Sequence, residues 1–369
     1  MEQIDETGQA ERCDVKQDRD YDLSKKYLFR SLKKKLESNN EANTPSAPIE
    51  ITDELQDYQK GEDGKSYIGV IAIDGNKMGE MVSKITTFKE LKRFSEAIDN
   101  LYSQAVSNAL LTHAASVYSA DTEGKLQKIL VTPIVMAGDD ICLIVEAEHA
   151  IELAKTIVEN IKKLSLEKNR DREVLHELMD RDQQGEGLTA CAGVAIVKYN
   201  YPFFEAVRTA EALCHRAKES MHKVRTEGSK AANASFIDWE IVQGQVDSDH
   251  TYEDYVRHGQ YEERFHLKPL RIDQEEAAQD GVYSYGAFIR LVQKINEGQK
   301  EDKVGQKEKA ISSSILEKIK RVIYSGWEQY ELFFETNQTE GCERIVQIVQ
   351  ETFGEANSEY AALVAENEQ

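Results

Sequence analysis

The run Tyr67–Ile73 (YIGVIAI), which stops at Asp74-Gly75-Asn76, constrains this chain more than any other feature. A β-rich apolar stretch that meets an acidic turn reads as the central strand of a sheet. The residues after it have the texture of further sheet and helix: a helical stretch from about Phe88 to His113, a second strand over Leu126–Met136 (LQKILVTPIVM), and a tight Ala137-Gly138-Asp139-Asp140 turn into a third strand, ICLIV. The two strands around that turn form a hairpin. Ala147–Leu164 reads as helix, Glu167–Gly187 as a charged insertion, and Leu188–Lys198 (LTACAGVAIVK) as a fourth strand; Pro202 then opens a helix to about Arg225.

The order βαββαβ followed by a helix predicts an α+β, ferredoxin-like fold with split βαβ connections. Right-handed crossovers make strands one and two parallel, with strand three antiparallel between them. The end of strand one, carrying Asp74, then lies beside the start of strand three, carrying Asp139 and Asp140.

Around this domain, taken as residues 67–242, three regions are expected. Residues 1–20 have the composition of a disordered tail. Residues 21–66 hold a basic helix, with Lys25, Lys26, Lys33, Lys34 and Lys35 around a Leu28, Leu32, Leu36 face, and then a linker. Residues 243–369 are expected to be a helical C-terminal domain, with segments at Tyr285–Ile295, Ile311–Phe334 and Cys342–Ala365.

Across 369 residues, 46 basic and 67 acidic side chains leave a net charge of −21, which gives no general attraction to nucleic acid. A phosphate-binding site here must bring its own cations. The apolar runs are too short to cross a bilayer, and the charged N-terminus lacks a secretory signal, so the expectation is a cytoplasmic protein with no membrane partner. Cys13, Cys142, Cys191, Cys214 and Cys342 form no CxxC pair and read as buried thiols.

Three aspartates converging at one sheet edge suit Mg²⁺ (or Mn²⁺), a hard cation that takes oxygen ligands and only one or two carboxylates per ion. Two such ions would neutralise the attacking and leaving oxygens of a nucleotidyl transfer. Each turn alone is an ordinary Asp-Gly or Gly-Asp signal; their predicted meeting points to chemistry. Gly75 and Gly79 let a phosphate or base approach the backbone, Asn76 offers a donor and an acceptor, and Lys218, Lys223 and Lys230 are candidate phosphate cations. Tyr199, Tyr201, Phe203 and Phe204 read as core and strand-end packing. His176-Glu177 lacks the second histidine of HExxH, no histidine is directly followed by an aspartate, and no GxxxxGK[ST] loop occurs.

IGVIAIDGNKMGEMV, VTPIVMAGDDICLIV and LTACAGVAIVKYNYPFFEAVRTAEALCHRAKESMHKV resemble, in that order, the catalytic palm of the CRISPR polymerases. These are the large subunits of type III CRISPR effector complexes, relatives of GGDEF diguanylate cyclases. HLKPLRID (His266–Asp273) is more faintly similar to the region after the palm. The resemblance implies that Asp74, Asp139 and Asp140 are catalytic metal ligands, with Gly75 in the metal set. Lys218 is implied to face phosphate, and Gly75, Asn76, Gly79, Gly138 and Lys230 are expected to join it in binding nucleotide. It further implies conversion of NTPs, ATP favoured, into a cyclic di- or oligonucleotide messenger with release of pyrophosphate, for a downstream effector in anti-phage signalling.

Ala137 stands where the family has the first glycine of GGDD, which is tolerated as long as that position keeps a negative φ. The sequence holds one palm, so a homodimer or a partner palm is expected to supply a second nucleotide site. Three other readings stay open: a non-catalytic or RNA-contacting palm subunit of a CRISPR-type assembly, a diguanylate cyclase, and a template-dependent polymerase.

Overall fold

The computed structural model describes residues 55–59, 66–118, 128–181, 187–226, 234–242, 267–274, 282–301, 311–323 and 325–353, with the short pieces 3–4, 10–11, 50–51 and 278–279. The basic helix expected over residues 21–37, Cys13, Lys230 and residues 354–365 of the last expected helix lie outside them. In the tail expected to be disordered, Gln3–Ile4 pairs with Ala10–Glu11.

The elements that build the sheet domain are β1 (Tyr67–Gly75), α1 (Met78–Val82), α2 (Phe88–Tyr118), β2 (Val131–Ala137), β3 (Asp140–Glu146), α3 (Ala147–Leu166), α4 (Glu173–Arg181), β4 (Ala190–Lys198), α5 (Phe203–Thr226), β5 (Phe236–Ile241) and the short β6 (Leu270–Arg271). They form one sheet in the order β6-β5-β4-β1-β3-β2. β3 runs antiparallel to β1 on one side and to β2 on the other, and β4 runs antiparallel along the far edge of β1. The expected split βαβ arrangement and the α+β class are therefore what the chain adopts.

The apolar run of β1 makes sense once both faces of the sheet are covered. Ile71 and Ile73 point into a core shared with α2, α3 and α4, while Ile68, Val70 and Ala72 point into a second core under α5. A strand buried on both sides has no solvent face to mark with polar residues, so alternation disappears. β2, at the edge, accommodates Pro133, and the register shifts between Pro133 and Val135, an irregularity that an edge strand tolerates.

Three expectations are corrected. The charged insertion contains α4, whose Val174, Leu175, Leu178 and Met179 are all buried; apolar residues spaced i, i+1, i+4, i+5 make one helical face even among charges. Phe236–Ile241, for which no strand was expected, is β5, which adds to the sheet parallel to β4 after the α5 crossover. Its central Asp238 is fully buried and is held by the Arg216 guanidinium of α5, by the backbone N–H of Trp239 at 2.8 Å and by Lys268 at 3.9 Å. The stretch Ile311–Phe334 is two helices, α7 (Ser313–Ile323) and α8 (Trp327–Thr336), because Gly326 between them sits at φ 98°. With α6 (Tyr285–Glu301) and α9 (Glu340–Phe353), these helices come after the sheet domain. α6 docks onto it through the Tyr285 hydroxyl, 2.9 Å from Glu152, and through Phe288 against Trp239.

α5 lies unusually close to the sheet. A Cβ at Gly193 would sit 2.1 Å from the Ala210 carbonyl oxygen and 2.3 Å from the Cys214 amide nitrogen, both in the α5 backbone. The Cys214 thiol also donates to the Cys191 carbonyl at 3.3 Å. Because backbone cannot swing aside as a side chain does, Gly193→Ala should destabilise by at least the ~1–3 kcal/mol of ordinary overpacking. A fall in the urea midpoint at unchanged m would register it.

Candidate active site

Two acidic turns meet at one end of the sheet. The ladder between β1 and β3 pairs Ile73 with Ile141, so Asp74, one residue further along β1, comes level with Asp140 at the start of β3. Ala137 pairs with Asp140, leaving a two-residue loop of Gly138 and Asp139. Gly138 has φ 65°, whereas Ala137 is not among the positive-φ residues. Positive φ at the first loop position alone is the II′ arrangement that suits the twist of a hairpin. The one position that needs glycine thus has it, and Ala137 sits in strand geometry without strain.

Lys218, on α5, reaches across to this edge. Its ammonium forms an ion pair with Asp74 Oδ2 and donates to the Gly75 carbonyl at 3.1 Å. Asp139 also faces Gly75: a Cβ on that glycine would fall 2.9 Å from Asp139 Oδ2 and 2.5 Å from the Tyr102 hydroxyl. Burial raises the Asp139 carboxyl above the usual carboxylate range, and the charges of Asp74 and Asp140 raise it further, opposed by its own backbone N–H and by Lys218. Asp140 is raised by burial and by Asp74, again opposed by Lys218. The Asp139 and Asp140 carboxyls, raised by burial and then by neighbouring charge, lie with Asp74, the Lys218 ammonium and the Gly75 carbonyl in an oxygen-rich cluster. Oxygen donors of this kind are what Mg²⁺ or Mn²⁺ prefers, though among the described residues the three aspartates are not a group whose ligand atoms all lie within 4.8 Å of one another.

The other candidates separate. Asn76 is buried and spends its amide donors inside the fold, on Thr189 Oγ1 at 3.0 Å and the Ala234 carbonyl at 3.2 Å. It ties the end of β1 to the approaches of β4 and β5 and does not turn its donors outward. Gly79 lies in α1 with open space where a Cβ would go. Lys223 is on α5. Tyr199 and Tyr201 pack against the core, but Phe203 and Phe204 do not as expected: they are 39% and 68% exposed at the start of α5, with Arg208 over the Phe204 ring.

Two residues of α2 were missed by reading the sequence. Asp99 Oδ1 accepts the Gly138 backbone N–H at 2.9 Å, so this helix holds the hairpin turn from below. One turn further along, the buried Tyr102 hydroxyl lies beside Gly75 and Asp139 with no hydrogen-bond partner. Burial, and then Asp139, Asp74 and Asp140, push its pKa well above the ordinary tyrosine value, so it stays a neutral donor. The available signal was a hydroxyl in an otherwise apolar stripe of Ile98, Leu101, Ala105 and Val106.

A sheet of this order carrying acidic turns at one end defines a palm-type α+β domain. Residues 67–226 match the family model of Cas10/Cmr2, second palm domain, in agreement with the resemblance carried by the three segments. No curated protein matches the chain. Among solved structures, Csm1 of T. onnurineus is 12% identical at a TM-score of 0.38, over 89% of this chain and 40% of that one. A Csm1–Csm4 cassette in complex with cA4 is 14% identical at 0.32, over 78% and 36%. The GGDEF domain of DgcB from Caulobacter crescentus, in complex with c-di-GMP, is 12% identical at 0.27, over 43% and 76%. This chain thus covers well under half of each of these Csm1 chains, and likenesses at such scores assign it no residue and no activity.

The raised carboxyls make the cation-free domain pH-sensitive. Between the unfolded and the raised folded pKa values the folded state binds more protons, so stability falls as pH rises through that window and is fully present below it. In EDTA at pH 7, Asp139→Asn should therefore melt higher than the wild type, and the gap should close towards pH ~4, near the unperturbed carboxylate value. Adding Mg²⁺ should raise the wild-type melting temperature and leave the variant nearly unmoved, as read by thermal denaturation.

Proposed function

We propose that this chain is a divalent-cation-dependent nucleotidyl cyclase that joins NTPs, ATP favoured, into a cyclic di- or oligonucleotide for CRISPR-type or related anti-phage signalling. The observation that carries the reading is the meeting of Asp74 with Asp139 and Asp140 at the sheet edge where Lys218 is seated. The match of residues 67–226 to the Cas10/Cmr2 second palm domain supports it, and the preference for ATP rests on that resemblance.

In this reading Asp74, Asp139, Asp140 and the Gly75 carbonyl hold Mg²⁺ or Mn²⁺. When bound, the cations neutralise charge on the entering and leaving oxygens. A ribose hydroxyl of one nucleotide forms a bond to the α-phosphorus of another and loses its proton. The P–O bond to the β-phosphate breaks, and the electron pair leaves with pyrophosphate. Lys218 is the cation at hand for a triphosphate, a requirement in a chain of net charge −21. Asp99 holds the hairpin loop, and Tyr102 sets a neutral donor next to Asp139. Ring closure needs two nucleotide sites facing each other, and a second copy of the palm, or a partner palm, supplies the other.

Mass analysis of products formed from mixed NTPs with Mg²⁺ should show a cyclic nucleotide and pyrophosphate. Asp139→Ala and Asp140→Ala should each lower turnover at least ~10²-fold while keeping the fold, because a cation site supplies several kcal/mol of transition-state stabilisation. Full activity in both variants would remove the two-cation reading. Absence of any product, together with tight and salt-sensitive RNA binding, would replace the enzyme with an RNA-contacting palm subunit. Lys218→Met should raise KM for the nucleotide more than it lowers kcat if the lysine serves mainly to bind phosphate.

A further inference from the structure

At the other end of β3 the chain assembles a different kind of group. His113 of α2, Glu146 at the end of β3 and His149 in the first turn of α3 place one potential ligand atom each so that all three lie within 4.8 Å of one another. The two imidazole rings are 4.1 Å apart between centroids, tilted by 60°. All three residues are half-buried. The Glu146 side chain makes no capping bond to the helix it precedes, although it occupies the N-cap of α3.

This trio is separate from the aspartate edge. Glu146 pairs with Ile68 near the start of β1, whereas Asp140 opens β3 and Asp74 lies near the end of β1. Glu146 lies six positions along β3 from Asp140, roughly 20 Å at the usual rise. The donor chemistry differs as well. Oxygen-only donors at the aspartate edge select Mg²⁺ or Mn²⁺, while two imidazole nitrogens and one carboxylate oxygen are the set that suits zinc-class transition metals.

We propose that His113, Glu146 and His149 bind one Zn²⁺-class ion, with the remaining coordination position left to water. The three ligands come from three elements, so the ion clips the C-terminal part of α2 to the β3–α3 corner. It thereby fixes the helix that carries Asp99 and Tyr102 to the hairpin loop. The role is structural support of α2, distinct from phosphoryl chemistry, and it stands whether or not the chain is a cyclase.

The test uses the full chain stripped of metal, kept in millimolar Mg²⁺ to occupy the aspartate edge, and titrated with Co²⁺ as the spectroscopic probe. The expected result is one equivalent bound, with the visible d–d band of four- or five-coordinate cobalt, discharged by Zn²⁺. His149→Gln and His113→Gln should each weaken binding by at least ~100-fold, since a direct ligand should cost no less than the supporting contacts around one. Asp139→Ala/Asp140→Ala should leave the band intact, and Zn²⁺ should raise the melting temperature of the wild type and not of His149→Gln. A wild-type chain that shows no band overturns the proposal without any variant being needed. So does a band that survives both histidine substitutions or disappears with the aspartates.

Discussion

The antiparallel ladder between β1 and β3 is the interaction on which the rest depends. Six backbone pairs fix Ile73 opposite Ile141 and so bring the end of one strand level with the start of the other. Side chains alternate with period two, so slipping this ladder by one residue would turn every buried isoleucine to the wrong face. Two cores, one on each side of β1, resist that slip together. The placement of the acidic residues is thus enforced by apolar packing some distance from them, and repulsion among carboxylates is imposed on the fold by the sheet.

The helices then act as positioning devices. α2 meets the hairpin with Asp99 under the loop amide and Tyr102 beside Asp139. α5, pressed against β4 at Gly193, delivers Lys218 across the sheet edge. Arg216, two residues earlier on α5, is anchored to the buried Asp238 of β5. Removing one partner of such a buried pair leaves an uncompensated charge, which costs far more than a surface pair would. The lysine at the edge is therefore aimed by a strand outside the βαββαβ unit.

How much the sequence reveals depends on the range of the forces involved. The strand order, the hairpin and the meeting of Asp74 with Asp139 and Asp140 were legible because apolar periodicity, turn chemistry and crossover handedness are local or general rules. α4 was hidden because counting charges over Glu167–Gly187 masks the spacing of Val174, Leu175, Leu178 and Met179. β5 was hidden because an aspartate in the middle of a short strand reads as a break until its partners, 22 and 30 residues away, are in place. Asn76 looked like a ligand-facing amide because nothing local announces Thr189 and Ala234 as its acceptors. Gly138, not Ala137, takes the left-handed conformation, a distinction that two adjacent small residues do not advertise.

The contact between Lys218 and Asp74 has a thermodynamic consequence for the proposed reaction. A carboxylate that already holds a tethered ammonium does not simply gain a metal ion; it exchanges one counter-ion for another. The displaced ammonium stays close by, anchored on α5, and a triphosphate entering with the metal offers it a new anionic partner. Metal alone would have to overcome the internal ion pair, and nucleotide alone would meet carboxylates still short of positive charge. In the proposed reaction each would relieve the cost the other faces, so their bindings would be positively coupled, and by linkage the coupling would be the same whichever arrived first.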